Sequence, residues 1–444
     1  MPSGNVLILL TLGALALLLF LILRVKLHAF LALMLTSMAL GLACGMEPLK
    51  VLKSIQAGFG EALGFIAVVV ALGAMVGRYL EHSGGGSALA DWLLERFGPE
   101  RAIWAVLVSA FLIGLPIFFE VGFIILVPLA WSLTRESKKS LLYFGLPIAA
   151  ALTVTHAMVP PHPAPAAAAQ LLGADLGKAI LFGAALSIPM AIAGGVVYGS
   201  WISKRLYIPV PEFATVPEKK SGGERTPPVW LVILLLVLPV LLIFASTLAG
   251  MANVPGRAVF DFVGHPFTAL TVTALASMYV FGARCGLNRD ALATMATQSL
   301  APIGSLLAIM GGGGAFKQVI VDCGVGPYAG KLLASSQVSP LLVAYLVAAG
   351  MRVAQGSATV AIITAAGIVA PLVKGIPGYS PEMILLALCC GGTVLSHVND
   401  AGFWLVNQSF GMTVPQTLRS WTAMKVVTSL VGLAIVLAMQ ALVG

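Results

Sequence analysis

The stretch TVTHAMVPPHPAP, residues 153–165, decides how the surrounding chain folds. It ends an apolar run that begins near Leu141, and four of its prolines fall within six residues. Proline lacks a backbone donor and forbids a regular helix. The stretch therefore predicts a helix that unwinds at Pro160, Pro161 and Pro163, leaving backbone carbonyls and amides open to a ligand.

Two histidines flank this predicted break, His156 and His162. Imidazole titrates near neutral pH, so both side chains can bind a ligand or carry a proton. A single histidine in apolar surroundings is usually a packing residue. Two of them beside a Pro-Pro break favour a functional role instead.

The composition places this break inside a membrane protein. Of 444 residues, 59% are hydrophobic and 9% are charged, whereas soluble domains carry about 25% charged residues. Mean hydropathy is +1.00. The formal charge of +8 comes from small basic groups between apolar segments, which is typical of cytoplasmic loops and not of nucleic-acid binding. We expect an all-α polytopic protein in a lipid bilayer.

The apolar segments number about 12 to 14, and several are shorter than the ~20 residues that cross a bilayer. The first, residues 6–23, is an uncharged run followed by Arg24 and Lys26, so we interpret it as a membrane helix and not as a signal peptide. Short segments broken by Gly or Pro predict re-entrant hairpins, which need protein or a water-filled cavity around them.

A polar, proline-rich stretch divides the chain near its middle, and the two halves resemble each other at an offset of about 240 residues. In each half a Gly-rich turn precedes an interrupted apolar pair, and then a helix ends in a His-containing break. Chance matching of 48 glycines is the alternative explanation. Internal repeats with broken helices are typical of secondary transporters. The predicted divisions are N-terminal helices (1–45), a first repeat (46–203), a cytoplasmic linker (204–228), linking helices (229–284) and a second repeat (285–444).

Glu120 lies in the middle of the apolar run of residues 114–128. A charge there costs a few kcal/mol on insertion scales, so the carboxylate must be solvated, paired or protonated. We expect a proton carrier or a site-lining carboxylate. The alternative is a structural partner of a buried cation.

The corresponding segment of the second half, residues 351–361, contains Arg352 and several small residues. A guanidinium binds a carboxylate through two parallel hydrogen bonds and keeps its charge, so Arg352 is the first candidate for an anionic substrate. Ser357 and Thr359 can cap the following half-helix, and Gly356 marks the break. The alternative is an Arg that extends to the membrane surface.

The last break, residues 391–403, places four polar side chains within five residues. Asn399 and Asp400 together accept from and donate to hydroxyl groups, which suits a polyol, and Asp400 is also a proton candidate. His397 and Gly402 belong to the same break. An Asp-Asn turn without a ligand is the alternative.

Motifs for other chemistry are missing from the sequence. Gly311 to Lys317 differs from a phosphate-binding loop, because Phe316 precedes the lysine and Gln318 follows it. Neither HExxH nor GxSxG occurs. We therefore expect no cofactor, no metal and no enzyme activity.

Four motifs closely resemble the gluconate permease (gluconate:proton symporter) family across nearly the whole chain. They are THAMVPPHP (155–163), GGGGAFKQVI (311–320), RVAQGSATVA (352–361) and SHVNDAGFW (396–404). The resemblance implies a multi-pass permease of the cytoplasmic (inner) membrane that imports gluconate or a related sugar acid with protons. It also implies two inverted repeats, each with a re-entrant hairpin and a broken helix, and a homodimer.

The resemblance does not select the sugar acid, since ketogluconate, idonate, fructuronate, glycerate and D-serine carriers look alike at this level. Our hypothesis is one site enclosed by two hairpins and two broken helices. The expected substrate ligands are Arg352, Gln355, Ser357, Thr359, His156, Asn399 and, as a weaker candidate, Lys317. The expected proton carriers are Glu120, Asp400, His162 or His397. A hydrolase that uses His156, His162 and Asp400, and a channel, are the rival hypotheses.

Overall fold

The computed structural model describes residues 3–212, 214, 226–251, 257–325, 338–373, 376–397 and 400–443. All regular elements within these ranges are helical, as the composition predicts. Residues of the predicted linker between 215 and 225 lie outside the described part, as does Asn399.

The helices of the first half run from the N-terminus to the linker. They are α1 (Gly4–Leu23), α2 (Ala29–Ala43), α3 (Pro48–His82), α4 (Gly85–Phe97), α5 (Ala102–Gly114), α6 (Phe119–Ser137), α7 (Leu141–Met158), α8 (Pro163–Leu172), α9 (Leu176–Ala191) and α10 (Gly199–Ser203). A π-helical segment, Ile192–Tyr198, joins α9 to α10.

The helices of the second half follow. They are α11 (Val229–Met251), α12 (Arg257–Val263), α13 (Pro266–Ser277), α14 (Arg289–Leu300), α15 (Gly304–Asp322), α16 (Pro340–Gln355), α17 (Ala358–Val373), α18 (Pro381–Thr393), α19 (Ala401–Ser409), α20 (Val414–Thr417) and α21 (Ala423–Val443). Two further π-helical segments, Met278–Gly282 and Leu418–Thr422, follow α13 and α20.

Six helical stretches of the described chain are long and apolar enough to cross a bilayer, or seven if one bent pair counts as a span. The bent pair is α4 and α5, which meet at 116° next to Gly98. Shorter apolar helices, among them α16, α17 and α18, accompany these spans. The mixture of full-length and short helices agrees with the segment lengths in the sequence.

The two halves place the same elements in the same order. In the first, α5 and α6 meet at residues 115–118, and residues 159–162 separate α7 from α8. In the second, α16 and α17 meet at residues 356–357, and residues 394–400 separate α18 from α19. The breaks therefore fall where the sequence predicts them, and an inverted symmetry and a re-entrant path through a bilayer stay predictions.

Prolines set the starts of several helices. A proline at the first position has no amide that needs a partner, and its fixed φ suits the helix. Pro163 is such a residue, so it begins α8 directly after the break formed by residues 159–162. Helices α3, α13, α16 and α18 also begin with proline.

The two halves interlock through their broken helices. Helix α8 packs against α17, and α18 packs against α7, α8 and α9 as well as against α16 and α21. Irregular backbone at membrane depth needs protein around it. This interlocking supplies part of that protein, because helices next to each break pack against the other half.

The long helix α3 crosses α15 where Gly58 and Gly314 face each other. A Cβ on either glycine would overlap the carbonyl oxygen of the other. The crossing is therefore as close as two helices allow, and only glycine fits at both positions.

We expect Gly58→Ala to destabilise the protein by about 1–3 kcal/mol, because overpacking forces the two backbones apart. The melting temperature in detergent measures this. Gly60→Ala is the matched control, since Gly60 lies on the same helix and a methyl group added there would have no other atom within 4 Å. The control should keep or slightly raise the melting temperature, and equal losses in both variants would contradict the contact.

Candidate functional site

A buried ion pair joins the two breaks of the second half. Arg352 Nη2 donates to Asp400 Oδ2, and the side chains are 2% and 15% exposed. Asp400 also accepts from the Ser396 hydroxyl and from the Gly402 amide, the latter at 3.0 Å. The carboxylate thus caps α19 and pairs with the last turn of α16 at once.

The guanidinium of Arg352 retains unused donors. Among the described residues, Arg352 Nε and Nη1 contact no hydrogen-bond acceptor, although both atoms are buried. Buried donors without partners are costly and rare. Each of these donors can therefore receive an anion, although a two-bond contact would also involve Nη2, which bonds Asp400.

The C-terminal π-helical segment holds the Ser396 break in place. Trp421 Nε1 donates to Ser396 Oγ at 2.7 Å, and the Thr422 hydroxyl donates to the Ser396 carbonyl. Single-turn π segments occur frequently at functional sites. Here the wider turn brings two consecutive side chains onto one residue of the break.

Lys425 lies one turn beyond Trp421 and is 1% exposed. Its ammonium donates to Thr153 Oγ1 on α7 at 2.7 Å and lies 5.7 Å from the centre of the Trp421 ring. This residue is not among those expected from the sequence. The signal was available, because Lys425 is the one charged residue of residues 423–443, and the same reasoning had identified Glu120.

The two histidines of the first break form a hydrogen-bonded chain. His162 Nε2 lies 2.6 Å from the Gly114 carbonyl, His162 Nδ1 lies 3.2 Å from His156 Nδ1, and His156 Nε2 lies 3.4 Å from Thr359 Oγ1. A carbonyl only accepts, so His162 Nε2 carries a hydrogen and its Nδ1 accepts from His156. All three hydrogen bonds can form with both imidazoles neutral, and the Thr359 hydroxyl then donates to His156 Nε2.

A cavity of about 650 Å³ opens beside this chain. Four residues expected from the sequence line it: Glu120, His156, Ser357 and Thr359. Arg352 and Asp400 are not among the residues that line it. Polar lining residues that sequence reasoning missed are Arg78, Glu81, Gln298, Ser299 and Ser305. They lie in ordinary amphipathic stretches, where polar residues carry no signal in the sequence.

The other expected residues are placed as follows. Gly356 has φ +80 at the break after α16, whereas Gly402 is the second residue of α19. His397 lies 3.1 Å from the Val353 carbonyl through Nε2 and is half-buried. Lys317 lies on α15, outside the cavity lining. The side chain of Gln355 and all of Asn399 lie outside the described residues.

Within the described ranges, no group of three or more His, Cys, Asp or Glu side chains could hold a metal ion. The site therefore combines a cavity that carries polar groups on a largely apolar lining with buried charges on the same broken helices. Its hydroxyl and imidazole groups can bond hydroxyls of a ligand, and its buried cations can attract an anion.

A family model described as GntP family permease matches residues 6–443. The chain belongs to the GntP permease family. It is 44% identical to a gluconate permease of Pseudomonas aeruginosa over 423 residues, 94% of each chain. It is 40% identical to the high-affinity gluconate transporter of Escherichia coli K12, covering 94% of this chain and 95% of that one. It is 39% identical to the Gnt-II system L-idonate transporter of the same strain, covering 96% and 97%.

Two solved transporters share the fold of this permease. The Alcanivorax borkumensis YdaH transporter superposes with a TM-score of 0.65 at 16% identity, covering 89% of each chain. Neisseria gonorrhoeae MtrF superposes with a TM-score of 0.65 at 17% identity, covering 89% of this chain and 85% of that one. The permease is thus an all-helical, multi-pass membrane protein and a transporter, not an enzyme. The family predicted from four motifs is confirmed, and the hydrolase hypothesis is set aside.

We expect Arg352→Gln and Asp400→Asn each to destabilise the permease by about 3–5 kcal/mol, because each leaves a buried charge unpaired. The double variant should lose less than the sum of the single losses. Melting temperatures in detergent give the comparison. Arg257→Gln is the control. Arg257 pairs with Asp261, the two side chains are 56% and 49% exposed, and such exposed pairs contribute about 0–1 kcal/mol to stability. Additive losses for Arg352 and Asp400 would contradict the pairing.

Proposed function

We propose that this permease imports gluconate or a related sugar acid across the cytoplasmic membrane by secondary active transport coupled to protons. The observation that carries the proposal is the buried Arg352, whose Nε and Nη1 have no acceptor among the described residues and which is joined through the turn at Gly356 to Ser357 and Thr359 of the cavity lining. The gluconate and L-idonate transporters among its relatives support this substrate class.

The cavity suits the hydroxylated part of such a substrate. Its volume of about 650 Å³ falls within the roughly 300–1,000 Å³ of small-molecule sites. Ser357, Thr359 and His156 supply groups that donate to and accept from hydroxyls. Gln355 and Asn399 are further ligands in the proposal, on the strength of the family motifs, and Lys317 remains the weaker one.

The carboxylate of the substrate binds Arg352 in this proposal. Arg352 and Ser357 lie on opposite sides of the break at Gly356, so this one turn connects the anion ligand to the cavity lining. The anion bonds the unused Nε or Nη1, and a second parallel bond requires Nη2, for which the anion competes with Asp400. A movement of the turn is required, because Arg352 is buried and does not line the cavity.

The coupling proton enters through the cavity. Glu120 has the most direct access to water among the expected proton carriers, since its exposed side chain lines the cavity. Asp400 is already paired with Arg352, and His162 is bonded at both nitrogens. The proposal therefore places Glu120 first on the proton path and keeps His397 as a further candidate.

Three elements of the proposal come from the family resemblance. They are the arrangement as inverted repeats, the assembly as a homodimer and the location in the inner membrane. The close alternatives for the substrate are ketogluconate, idonate, fructuronate, glycerate and D-serine, and a panel of these acids competed against labelled gluconate selects among them.

In proteoliposomes, the permease should accumulate labelled gluconate against its gradient when the outside is made acidic, because an inward proton gradient drives symport. Liposomes without protein and a protonophore serve as controls. Uptake that ignores the pH gradient would exclude proton coupling. Uptake that only equilibrates gluconate would indicate a channel.

We expect Thr359→Val to raise the KM for gluconate roughly 2- to 10-fold, because this is the loss in affinity that corresponds to one hydroxyl hydrogen bond. Valine keeps the shape of threonine but removes the hydroxyl that lines the cavity. Thr364→Val is the matched control on α17, because Thr364 is buried and its hydroxyl has no partner among the described residues. Initial uptake rates measure both. An unchanged KM in Thr359→Val would remove this residue from the substrate site.

A further inference from the structure

Lys425 is a buried cation to which the proposed function assigns no role. It is 1% exposed and lies on α21, a helix that packs against α7, α9 and α18. Among the described residues no carboxylate oxygen lies within ion-pair distance of it, and its hydrogen-bond partner is the neutral Thr153 hydroxyl. A lysine ammonium in such surroundings is uncompensated.

The ionisable groups around Lys425 come from three elements. Arg352 on α16, Asp400 at the break and His156 on α7 interact with it electrostatically. One turn further along α21, Ser429 bonds Tyr345 of α16 and the Cys390 carbonyl of α18. On the π-helical segment after α9, Gly194 lies against Met424 and Thr428, and the Tyr198 hydroxyl donates to the Arg419 carbonyl.

The charges of this cluster balance in two states. With Lys425 neutral, Arg352 and Asp400 compensate each other. A substrate carboxylate on Arg352 adds one negative charge, and a proton on Lys425 restores the balance. An unbalanced buried charge is unfavourable in either direction. The anion and the proton therefore favour each other's binding, and this linkage is reciprocal.

The partner of Lys425 accommodates both protonation states. A threonine hydroxyl both donates and accepts. Thr153 accepts from the ammonium, and after a rotation of its hydroxyl it donates to the neutral amine. Asp400 offers no comparable freedom, since an added proton would displace Arg352, Ser396 or the Gly402 amide.

We infer that Lys425 holds the coupling proton while a monocarboxylate is carried on Arg352, so that one proton crosses with each anion. Glu120 then passes the proton from the cavity to Lys425 and does not hold it during transport. The inference rests on the proposed function, because it presupposes an anionic substrate and proton coupling. It assigns a role to Lys425 in coupling and not in contact with the substrate.

The test is Lys425→Arg in proteoliposomes with gluconate. Counterflow, which exchanges labelled for unlabelled gluconate, needs no release of the proton, whereas accumulation under a pH gradient does. The arginine keeps its charge permanently, so counterflow by Lys425→Arg should remain measurable at a reduced rate. The ratio of pH-driven accumulation to counterflow should fall by at least about tenfold relative to the wild type. Gluconate uptake by Lys425→Arg should instead be increased by an inside-positive potential. The empty site of this variant keeps one positive charge, and that charge must move outward when the empty site returns.

Lys178→Arg is the matched control, since Lys178 is exposed at the start of α9. Its ratio should equal that of the wild type. A wild-type ratio in Lys425→Arg would overturn the assignment of Lys425 and leave the proposed function intact. A wild-type protein that exchanges gluconate but ignores the pH gradient would overturn both.

Lys425→Met is a second variant, which tests the same inference if Lys425→Arg is not monodisperse in detergent. Its side chain has similar length and is neutral at every pH. The stabilisation of the wild type by gluconate, measured as a rise in melting temperature, should increase on acidification, and that of Lys425→Met should be small and independent of pH. Equal pH dependence in both proteins would overturn the inference.

Discussion

The ion pair of Arg352 and Asp400 is the contact on which the site depends. A charge in an apolar protein must be paired or solvated, so the last turn of α16 and the first turn of α19 have to meet. Once they meet, Ser396 reaches the same carboxylate, and Trp421 and Thr422 bind Ser396. One electrostatic requirement thereby fixes two breaks and the C-terminal helix relative to each other.

The same constraint joins the two halves of the chain. Each break exposes backbone and polar side chains that a bilayer does not tolerate, and the helices beside each break pack against the other half. His156 of the first break meets Thr359 of the second half, and Lys425 at the end of the chain bonds Thr153 of α7. The cavity forms at this meeting, which is why its polar lining is drawn from both halves.

The sequence predicts the parts of this arrangement that depend on local chemistry. Prolines and glycines locate the breaks, and the cost of a polar group in an apolar run identifies Glu120, His156, Ser357 and Thr359, all of which line the cavity. Pairings between distant residues are not local. Arg352 and Asp400 are 48 residues apart and Lys425 and Thr153 are 272 apart, so sequence reasoning gave the first two separate roles and missed Lys425. Two of the residues expected in the breaks instead belong to helices, because proline suits a first helical position and Asp400 caps the next helix: Pro163 begins α8, and Gly402 lies within α19.

A carrier whose site changes sides must move its charges through the membrane potential. Each elementary charge that crosses requires about 2.3 kcal/mol per 100 mV. An internal ion pair such as Arg352 and Asp400 can cross the membrane potential without this free-energy cost, because its two charges cancel. A single ammonium that is present only together with an anion adds nothing either. Under the inference that Lys425 is charged only while an anion is bound, the site reorients loaded or empty without moving net charge, whereas a fixed third charge would make the return of the empty site depend on the membrane potential. The small number of charges in this chain is consistent with that requirement.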